Sequence, residues 1–135
     1  MTTIAYKDGI LAADTQLTLD NTKIYCRKIE LLPNDIVLAT AGDVHDSFIF
    51  KEWLTNLKTD KKKRPIFKKS FECICIEKKQ VYWYNKDLDK NLLEHCHYAI
   101  GSGWQIATAG MVLGLAAEEA IQLAGEIDIY TNSLV

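Results

Sequence analysis

The stretch that decides the fold opens the chain: Met1-Thr2-Thr3-Ile4-Ala5-Tyr6-Lys7-Asp8-Gly9-Ile10-Leu11-Ala12-Ala13-Asp14. An Asp-Gly pair between two apolar runs is a strong hairpin signal, because a tight turn needs positive φ angles. We therefore predict strands over residues 2–6 and 10–13, joined by a turn over residues 7–9. In this pairing Asp14 lies level with Thr2 across the hairpin, although an aspartate at a strand end is also a common turn residue.

The second residue, Thr2, is a candidate nucleophile. Threonine is small enough for processing enzymes to remove the preceding Met1, which would leave Thr2 with a free amine and a hydroxyl. An α-amine with a pKa of about 7.7–8.0 is able to take the proton from the hydroxyl of its own residue. The alternative is that threonine is simply a common second residue. The choice depends on what the rest of the chain supplies.

Length and composition exclude several classes of protein. The 135 residues, 48% of them hydrophobic, predict one globular domain over residues 1–135 with a substantial core. A net charge of −2 favours neither nucleic acid nor an anionic membrane as a partner. We find no export signal and no apolar run long enough to span a bilayer, so we expect a cytoplasmic protein. The four cysteines, Cys26, Cys73, Cys75 and Cys96, are then expected to be reduced.

The rest of the chain predicts short strands and three helices. Apolar or alternating runs indicate strands over residues 36–39, 70–77, 81–84, 98–100 and 127–130. Helical spacing occurs over residues 44–57, 104–113 and 116–124, and Phe48, Leu54 and Leu57 are predicted to form the buried stripe of the first helix. Gly125 is expected to end the third helix. This order of elements favours an α+β sandwich of antiparallel sheets.

Three other features allow more than one interpretation. The seven basic residues among positions 58–69 could contact an acidic partner or phosphates, but they lack aromatic interleaving and we interpret them as a solvated loop. His95-Cys96-His97 invites a zinc interpretation, but only the two histidines share a strand face and no second ligand pair follows. Cys73 and Cys75 lack metal-site spacing, and we expect both in the core.

Seven local motifs, in this order along the chain, resemble the β-type subunits of proteasomes. They are Thr2-Thr3-Ile4, Asp14-x-Gln16, Asn21-Thr22, Arg27-Lys28, Ala41-Gly42, Ala99-Ile100-Gly101-Ser102-Gly103 and Ala124-Gly125-x-Ile127-x-Ile129-Tyr130-Thr131-Asn132. The resemblance is strongest to the bacterial branch, the peptidase subunit of the HslUV protease. It covers most of residues 2–57 and 98–132, and the segment between them is shorter than in that family. It implies the four-layer αββα sandwich of N-terminal-nucleophile hydrolases.

The resemblance also implies a set of catalytic residues. Thr2 matches the family's nucleophile, and Lys28 matches the lysine whose ammonium lowers the basicity of the terminal amine. Asp14 matches the carboxylate that pairs with this lysine. Gly42 matches the glycine whose backbone N–H forms the oxyanion hole, and Ser102 matches a serine that helps to move protons. Without the resemblance, Lys28 is one of sixteen basic residues, and Ser102 could serve only the conformation of a Gly-Ser-Gly turn.

Further expectations concern ions and partners. Gly125, Asp128 and Thr131 match positions whose backbone carbonyls hold a structural cation in bacterial members, although Asp128 departs from the expected residue type. No cofactor is expected for catalysis, and the structural cation would be monovalent. The resemblance implies self-assembly into stacked rings, unfolded polypeptides as substrates and an AAA+ unfoldase as a partner. The compressed segment over residues 51–91 puts the ring size and the unfoldase in question.

Three hypotheses for function follow. The first is a threonine-type endopeptidase subunit of a self-compartmentalised ring, acting through Thr2 after Met1 is removed. The second is a catalytically silent protein that uses the same fold to form rings. The third is an amidase of the N-terminal-nucleophile class that acts on a small amide. Removal of Met1 separates the first from the second, since a retained methionine would hold the amine of Thr2 in a peptide bond.

Overall fold

The computed structural model of the protein describes residues 2–55, 67, 69, 71–94 and 97–135. Within this part of the chain, ten strands and three α-helices are assigned. The strands are β1 (Thr3–Lys7), β2 (Ile10–Ala13), β3 (Gln16–Leu19), β4 (Thr22–Tyr25), β5 (Ile29–Leu32), β6 (Ile36–Gly42), β7 (Phe71–Glu77), β8 (Gln80–Asn85), β9 (Lys90–Leu92) and β10 (His97–Gly101). The helices are α1 (Val44–Thr55), α2 (Trp104–Val112) and α3 (Ala117–Ile127).

The predicted N-terminal hairpin is confirmed. β1 and β2 pair antiparallel, and the turn residues Asp8 and Gly9 have φ angles of 50° and 84°. β10 pairs with the other edge of β1, giving a three-stranded antiparallel sheet in the order β10-β1-β2. The predicted position of Asp14 was wrong by one residue: its N–H donates to the carbonyl of Thr3 (3.1 Å), so it faces Thr3 rather than Thr2.

A second antiparallel sheet of five strands has the order β5-β6-β7-β8-β9. The predicted strands of this sheet are confirmed, and Cys73 and Cys75 lie on its buried face as expected. The polar stretch over residues 15–25, for which the sequence allows a loop or an irregular strand, forms the β3–β4 hairpin. The polar connector expected over residues 85–94 contains β9, whose three residues are all exposed and carry little hydrophobic pattern.

The buried face of α1 differs from the predicted stripe. Phe48 is 56% exposed, whereas Phe50 and Leu54, four residues apart, are buried. Phe50 sets this face, because its ring packs against Phe71 on β7 and Tyr84 on β8 at centroid distances of 4.8 and 5.2 Å. Leu54 was predicted correctly. The third member of the predicted stripe, at position 57, and the predicted basic loop, apart from positions 67 and 69, lie outside the described residues.

The third helix does not end at Gly125, as predicted, but continues to Ile127. A Cβ at Gly125 would lie 2.4 Å from the backbone nitrogen of Ser133 and 2.5 Å from the carbonyl carbon of Asn132. The glycine is therefore required by the C-terminal segment that crosses the helix, not by the end of the helix.

The strand predicted over residues 127–130 was also wrong. The N–H of Asp128 donates to the carbonyl of Ala124 (2.8 Å), and the N–H of Thr131 donates to the carbonyl of Asp128 (3.2 Å). These bonds continue the helix into a turn, so Asp128 and Thr131 are held close together.

Three apolar clusters give the order of the layers. One cluster joins α1 to the outer face of the five-stranded sheet, and another joins α2 and α3 to the outer face of the three-stranded sheet. The third contains Ile4 and Ile100 from one sheet with Ala39 and Ile74 from the other, so the two sheets pack face to face. The result is the predicted four-layer arrangement of helix, sheet, sheet and helices. In the described residues, no helix has the length and hydropathy needed to cross a membrane.

Candidate active site

Thr2 lies directly before β1, against the turn that follows β10. Its carbonyl accepts a hydrogen bond from the N–H of Ser102 (2.9 Å), and Thr2 itself is half-buried. The contact is close, because a Cβ on Gly101 would lie only 1.7 Å from the carbonyl oxygen of Thr2. Gly101 also has a φ of 94°, which favours glycine. The Gly-Ser-Gly motif therefore holds the backbone of Thr2 in place.

Asp14 and Lys28 form a buried ion pair next to Thr2. The Nζ of Lys28 donates to Asp14 Oδ1 (2.8 Å), and the two side chains are only 6% and 0% exposed. The same Oδ1 accepts the backbone N–H of Thr3 (3.0 Å), and Oδ2 accepts the N–H of Gln16 (3.3 Å). Asp14 thus links the ammonium of Lys28 to the peptide that joins Thr2 and Thr3.

Ser102 belongs to a chain of hydrogen-bonded side chains on the other side of Thr2. Its Oγ donates to Asp128 Oδ2 (2.6 Å), and Thr131 Oγ1 donates to the same oxygen (2.6 Å). Thr131 Oγ1 in turn lies 2.6 Å from Thr3 Oγ1. Burial alone would raise the pKa of Asp128, but the two hydroxyls and the N–H of Tyr130 stabilise its charged form, and its pKa lies below the usual value.

Gly42 lies at the end of β6 on the rim of a cavity of about 510 Å³. Thr2 and Ser102 line the same cavity, together with Trp104 at the start of α2. Gly42 has a φ of 117° and precedes Asp43, whose Oδ1 accepts the N–H of Asp46 (3.1 Å) in the first turn of α1. The nucleophile, oxyanion and serine candidates thus share one cavity.

The ion pair opens onto a different cavity. Asp14 and Lys28 line a groove of about 730 Å³, with Cys26 and Glu30 among its other walls. The candidate residues therefore fall into two groups on either side of the Thr2–Thr3 peptide. Asp14 Oδ1 connects the ion pair to this peptide, because it accepts hydrogen bonds from both the Nζ of Lys28 and the N–H of Thr3.

Sequence reasoning missed Glu72 as a residue of the cavity. Its Oε1 accepts the N–H of Gly101 (3.2 Å) and its Oε2 accepts the indole N–H of Trp83 (3.1 Å). The sequence held one indication of this role: Glu72 is a charged residue on the same face of β7 as Ile74, which is buried between the two sheets. Because β10 is an edge strand, this carboxylate supplies a partner for an N–H that the sheet leaves unpaired.

The residues of the predicted cation site are placed as follows. Gly125 lies in the last part of α3, and the carbonyl of Asp128 accepts the N–H of Thr131. The side chains of Asp128 and Thr131 belong to the hydrogen-bonded chain of Ser102. Among the described residues, no group of three or more His, Cys, Asp or Glu side chains is arranged to hold a metal ion. A cation held by backbone carbonyls stays a prediction, and positions 95 and 96 of the His-Cys-His motif lie outside the described residues.

The order of helix, sheet, sheet and helices is that of the N-terminal-nucleophile hydrolase fold. Among solved structures the chain is similar to eukaryotic HslV from Trypanosoma brucei, with a TM-score of 0.71 and 21% identity over 99% of this chain and 95% of that one. It is also similar to the BPH protein of Thiobacillus denitrificans, with TM-scores of 0.68 and 0.66 and identities of 17% and 18% over 97% of this chain and 92% of that one. The structure with the lower score holds epoxomicin.

These similarities establish an HslV-like fold across nearly the whole chain. No protein-family model and no curated protein matches the sequence.

Proposed function

We propose that the chain is a threonine-type endopeptidase in which Thr2 is the nucleophile once Met1 has been removed. The observation that carries this proposal is the position of Thr2. Its backbone is held by Ser102 on one side, and on the other side Asp14 binds both Lys28 and the N–H of Thr3. The Thr2–Thr3 peptide is thus held at both ends, its carbonyl by the N–H of Ser102 and its N–H by the buried carboxylate of Asp14, as a nucleophile that must be held in position requires.

The proposed reaction transfers an acyl group through Thr2. The hydroxyl oxygen of Thr2 attacks the carbonyl carbon of a peptide bond while its proton passes to the free amine of the same residue. The positive charge of Lys28 favours the neutral amine, which is the form that accepts this proton. The carbonyl oxygen becomes negatively charged, and the N–H of Gly42 would stabilise it in the shared cavity.

The second half of the reaction releases the products. The amine of Thr2 returns the proton to the leaving nitrogen, so the C–N bond breaks and the acyl group remains on Thr2 as an ester. Water then attacks the ester carbonyl and passes a proton to the amine of Thr2. The bond between the acyl carbon and the Thr2 oxygen breaks, the carboxylic acid product leaves, and the amine returns the proton to the Thr2 hydroxyl. The Ser102 hydroxyl donates its hydrogen bond to Asp128, so the lone pairs of its oxygen are left to accept a hydrogen bond from the protonated amine during both steps.

The test is peptide hydrolysis by purified variants. We expect Thr2→Ala to abolish cleavage of a fluorogenic peptide and Thr2→Ser to retain it, since serine keeps both the amine and the hydroxyl. Thr18→Ala serves as the control, because the Thr18 hydroxyl bonds Gln16 on the separate β3–β4 hairpin. Turnover by Thr2→Ala equal to that of the parent would contradict the proposal. A folded chain without any turnover would favour a silent ring-forming protein instead.

We also propose that the chain assembles with copies of itself, as rings that enclose the cleavage sites, and receives unfolded polypeptides. The HslV-like fold supports this proposal. Native mass spectrometry of the purified chain tests it, and a monomer would favour the small-amide enzyme. An AAA+ unfoldase remains a further expectation, to be tested by the stimulation of protein cleavage by ATP and a candidate unfoldase.

A further inference from the structure

The side chain of Thr3, one residue beyond the proposed nucleophile, is a buried polar group that the mechanism does not use. It is 0% exposed and lines neither cavity. Its Oγ1 accepts the N–H of Gly103 (2.9 Å) and lies 2.6 Å from the Oγ1 of Thr131. The fit is tight, since a Cβ on Gly103 would lie 2.7 Å from Thr3 Oγ1.

The direction of each hydrogen bond in this chain follows from the number of protons. A hydroxyl has one proton to donate, and an ionised carboxylate only accepts. The hydroxyl of Thr131 donates its one hydrogen bond to Asp128, so Thr3 must be the donor in the bond between Thr3 and Thr131. Thr3 Oγ1 accepts from Gly103 and donates to Thr131. Through Thr131, it therefore connects the N–H of Gly103 to the carboxylate of Asp128, which also binds the Ser102 hydroxyl.

We propose that Thr3 is a positioning residue, whose hydroxyl fixes the place and the hydrogen-bond direction of Ser102. The proposal rests on the function proposed for Thr2 and extends it. The backbone N–H of Thr3 binds Asp14, whereas its side chain binds the turn that carries Ser102. Thr3 therefore contacts both groups of candidate residues, the Asp14–Lys28 pair through its backbone and the Ser102 group through its side chain. A change of the side chain alone affects only the Ser102 group.

Replacement of Thr3 by valine removes the hydroxyl and keeps the shape of the side chain. The N–H of Gly103 then loses its acceptor, while the bond from the Thr3 backbone to Asp14 is unaffected. We expect Thr3→Val to lower kcat for a fluorogenic peptide by about ten- to a hundredfold, because small displacements of a catalytic group have effects of this size. We expect KM to change by less than about twofold, since Thr3 contacts neither cavity. Thr3→Ser should restore most of kcat.

A double-mutant cycle tests whether Thr3 acts through Ser102. We expect the Thr3→Val/Ser102→Ala variant to be no slower than Ser102→Ala alone, because the first change has nothing left to position. The inference would be overturned if the decreases in kcat caused by the two changes multiplied in the double variant. It would also be overturned if Thr3→Val had the kcat of the parent, or if Thr3→Ser were as slow as Thr3→Val. Thr18→Val is the matched control, a strand threonine whose hydroxyl binds Gln16. If Thr3→Val does not fold, Thr3→Cys, whose thiol is a weak acceptor, takes its place.

Amide hydrogen exchange separates this inference from the proposed function. Thr3→Val should speed exchange at Gly103 by at least about tenfold, whereas Thr3→Ser should not, because only the former removes the acceptor. This readout does not require activity. If the parent chain cleaves no peptide, the proposed function fails. If exchange at Gly103 is also unchanged in Thr3→Val, the role of Thr3 fails as well. If Thr2→Ala abolishes turnover but Thr3→Val has neither effect, only the inference about Thr3 fails.

Discussion

Removal of Lys28 is the perturbation whose effect follows most directly from the structure. In Lys28→Ala the carboxylate of Asp14 stays fully buried without its ammonium partner. Breaking a buried pair in this way costs about 3–5 kcal/mol. Asp14 keeps the N–H groups of Thr3 and Gln16, so we expect the lower end of this range. For a domain of this size the loss corresponds to a decrease in Tm of about 10–15 °C.

The matched control is Lys51→Ala. Lys51 also forms an ion pair, with Glu30, but the two side chains are 24% and 42% exposed. An exposed pair of this kind contributes only about 0–1 kcal/mol. Urea unfolding and thermal unfolding of both variants measure the difference in the free energy of unfolding. Equal losses for Lys28→Ala and Lys51→Ala would refute the reasoning.

Activity gives a second readout for the same variant. Under the proposed mechanism Lys28→Ala should abolish peptide cleavage, because it removes the positive charge that favours the neutral form of the Thr2 amine. The native mass of the assembly should be unchanged at a temperature where the variant is folded. Cleavage near the rate of the parent would remove Lys28 from the mechanism.

Two further predictions concern the turn at Gly101 and the alkaline limit of stability. Gly101→Ala and Gly114→Ala both place alanine at a strongly positive φ, which costs about 1–2 kcal/mol, but only the first also forces a Cβ to 1.7 Å from the Thr2 carbonyl. We therefore expect thermal unfolding to show a much larger loss for Gly101→Ala, and equal losses would contradict the contact. Burial, together with the charge of Glu77, raises the pKa of Cys75 from 9.0 to about 12. Since the unfolded thiol ionises first, Cys75 should lower the free energy of unfolding as the pH rises from about 9 to about 12, as measured by urea unfolding, and the slope should be shallower in Cys75→Ala. The buried thiol of Cys73, whose pKa is also raised, adds to the loss in both proteins.

The N-terminal hairpin and the packed sheets could be predicted because their signals are local. The Asp-Gly turn fixes the hairpin, and the alternation along β7 correctly separates Cys73 and Cys75 from Ile74. The one-residue error in the pairing of Asp14 came from placing Lys7 in the turn, whereas Lys7 pairs with Ile10 and the turn contains only Asp8 and Gly9. Thr2 bonds to Ser102, a hundred residues away, and no local pattern encodes that contact.

The errors near the C-terminus have the same origin. Gly125 resembled the end of a helix, but its lack of a side chain serves the crossing of Asn132 and Ser133. The alternating residues after it resembled a strand, but Asp128 is held in a turn by Ser102 and Thr131. Contacts between distant segments override local propensity in both places. The roles of Thr3 and Glu72 could not be predicted for the same reason, because their hydrogen-bond partners come close to them only in the folded chain.

The central claim is that a free Thr2 amine and hydroxyl act together on an amide. The most direct test is the intact mass of the chain purified from cells, measured before and after incubation with epoxomicin, which occupies one of the similar structures. The account predicts a chain without Met1 that gains a single adduct, mapped to Thr2 and absent from Thr2→Ala. A chain that retains Met1 quantitatively and gains no adduct would contradict it.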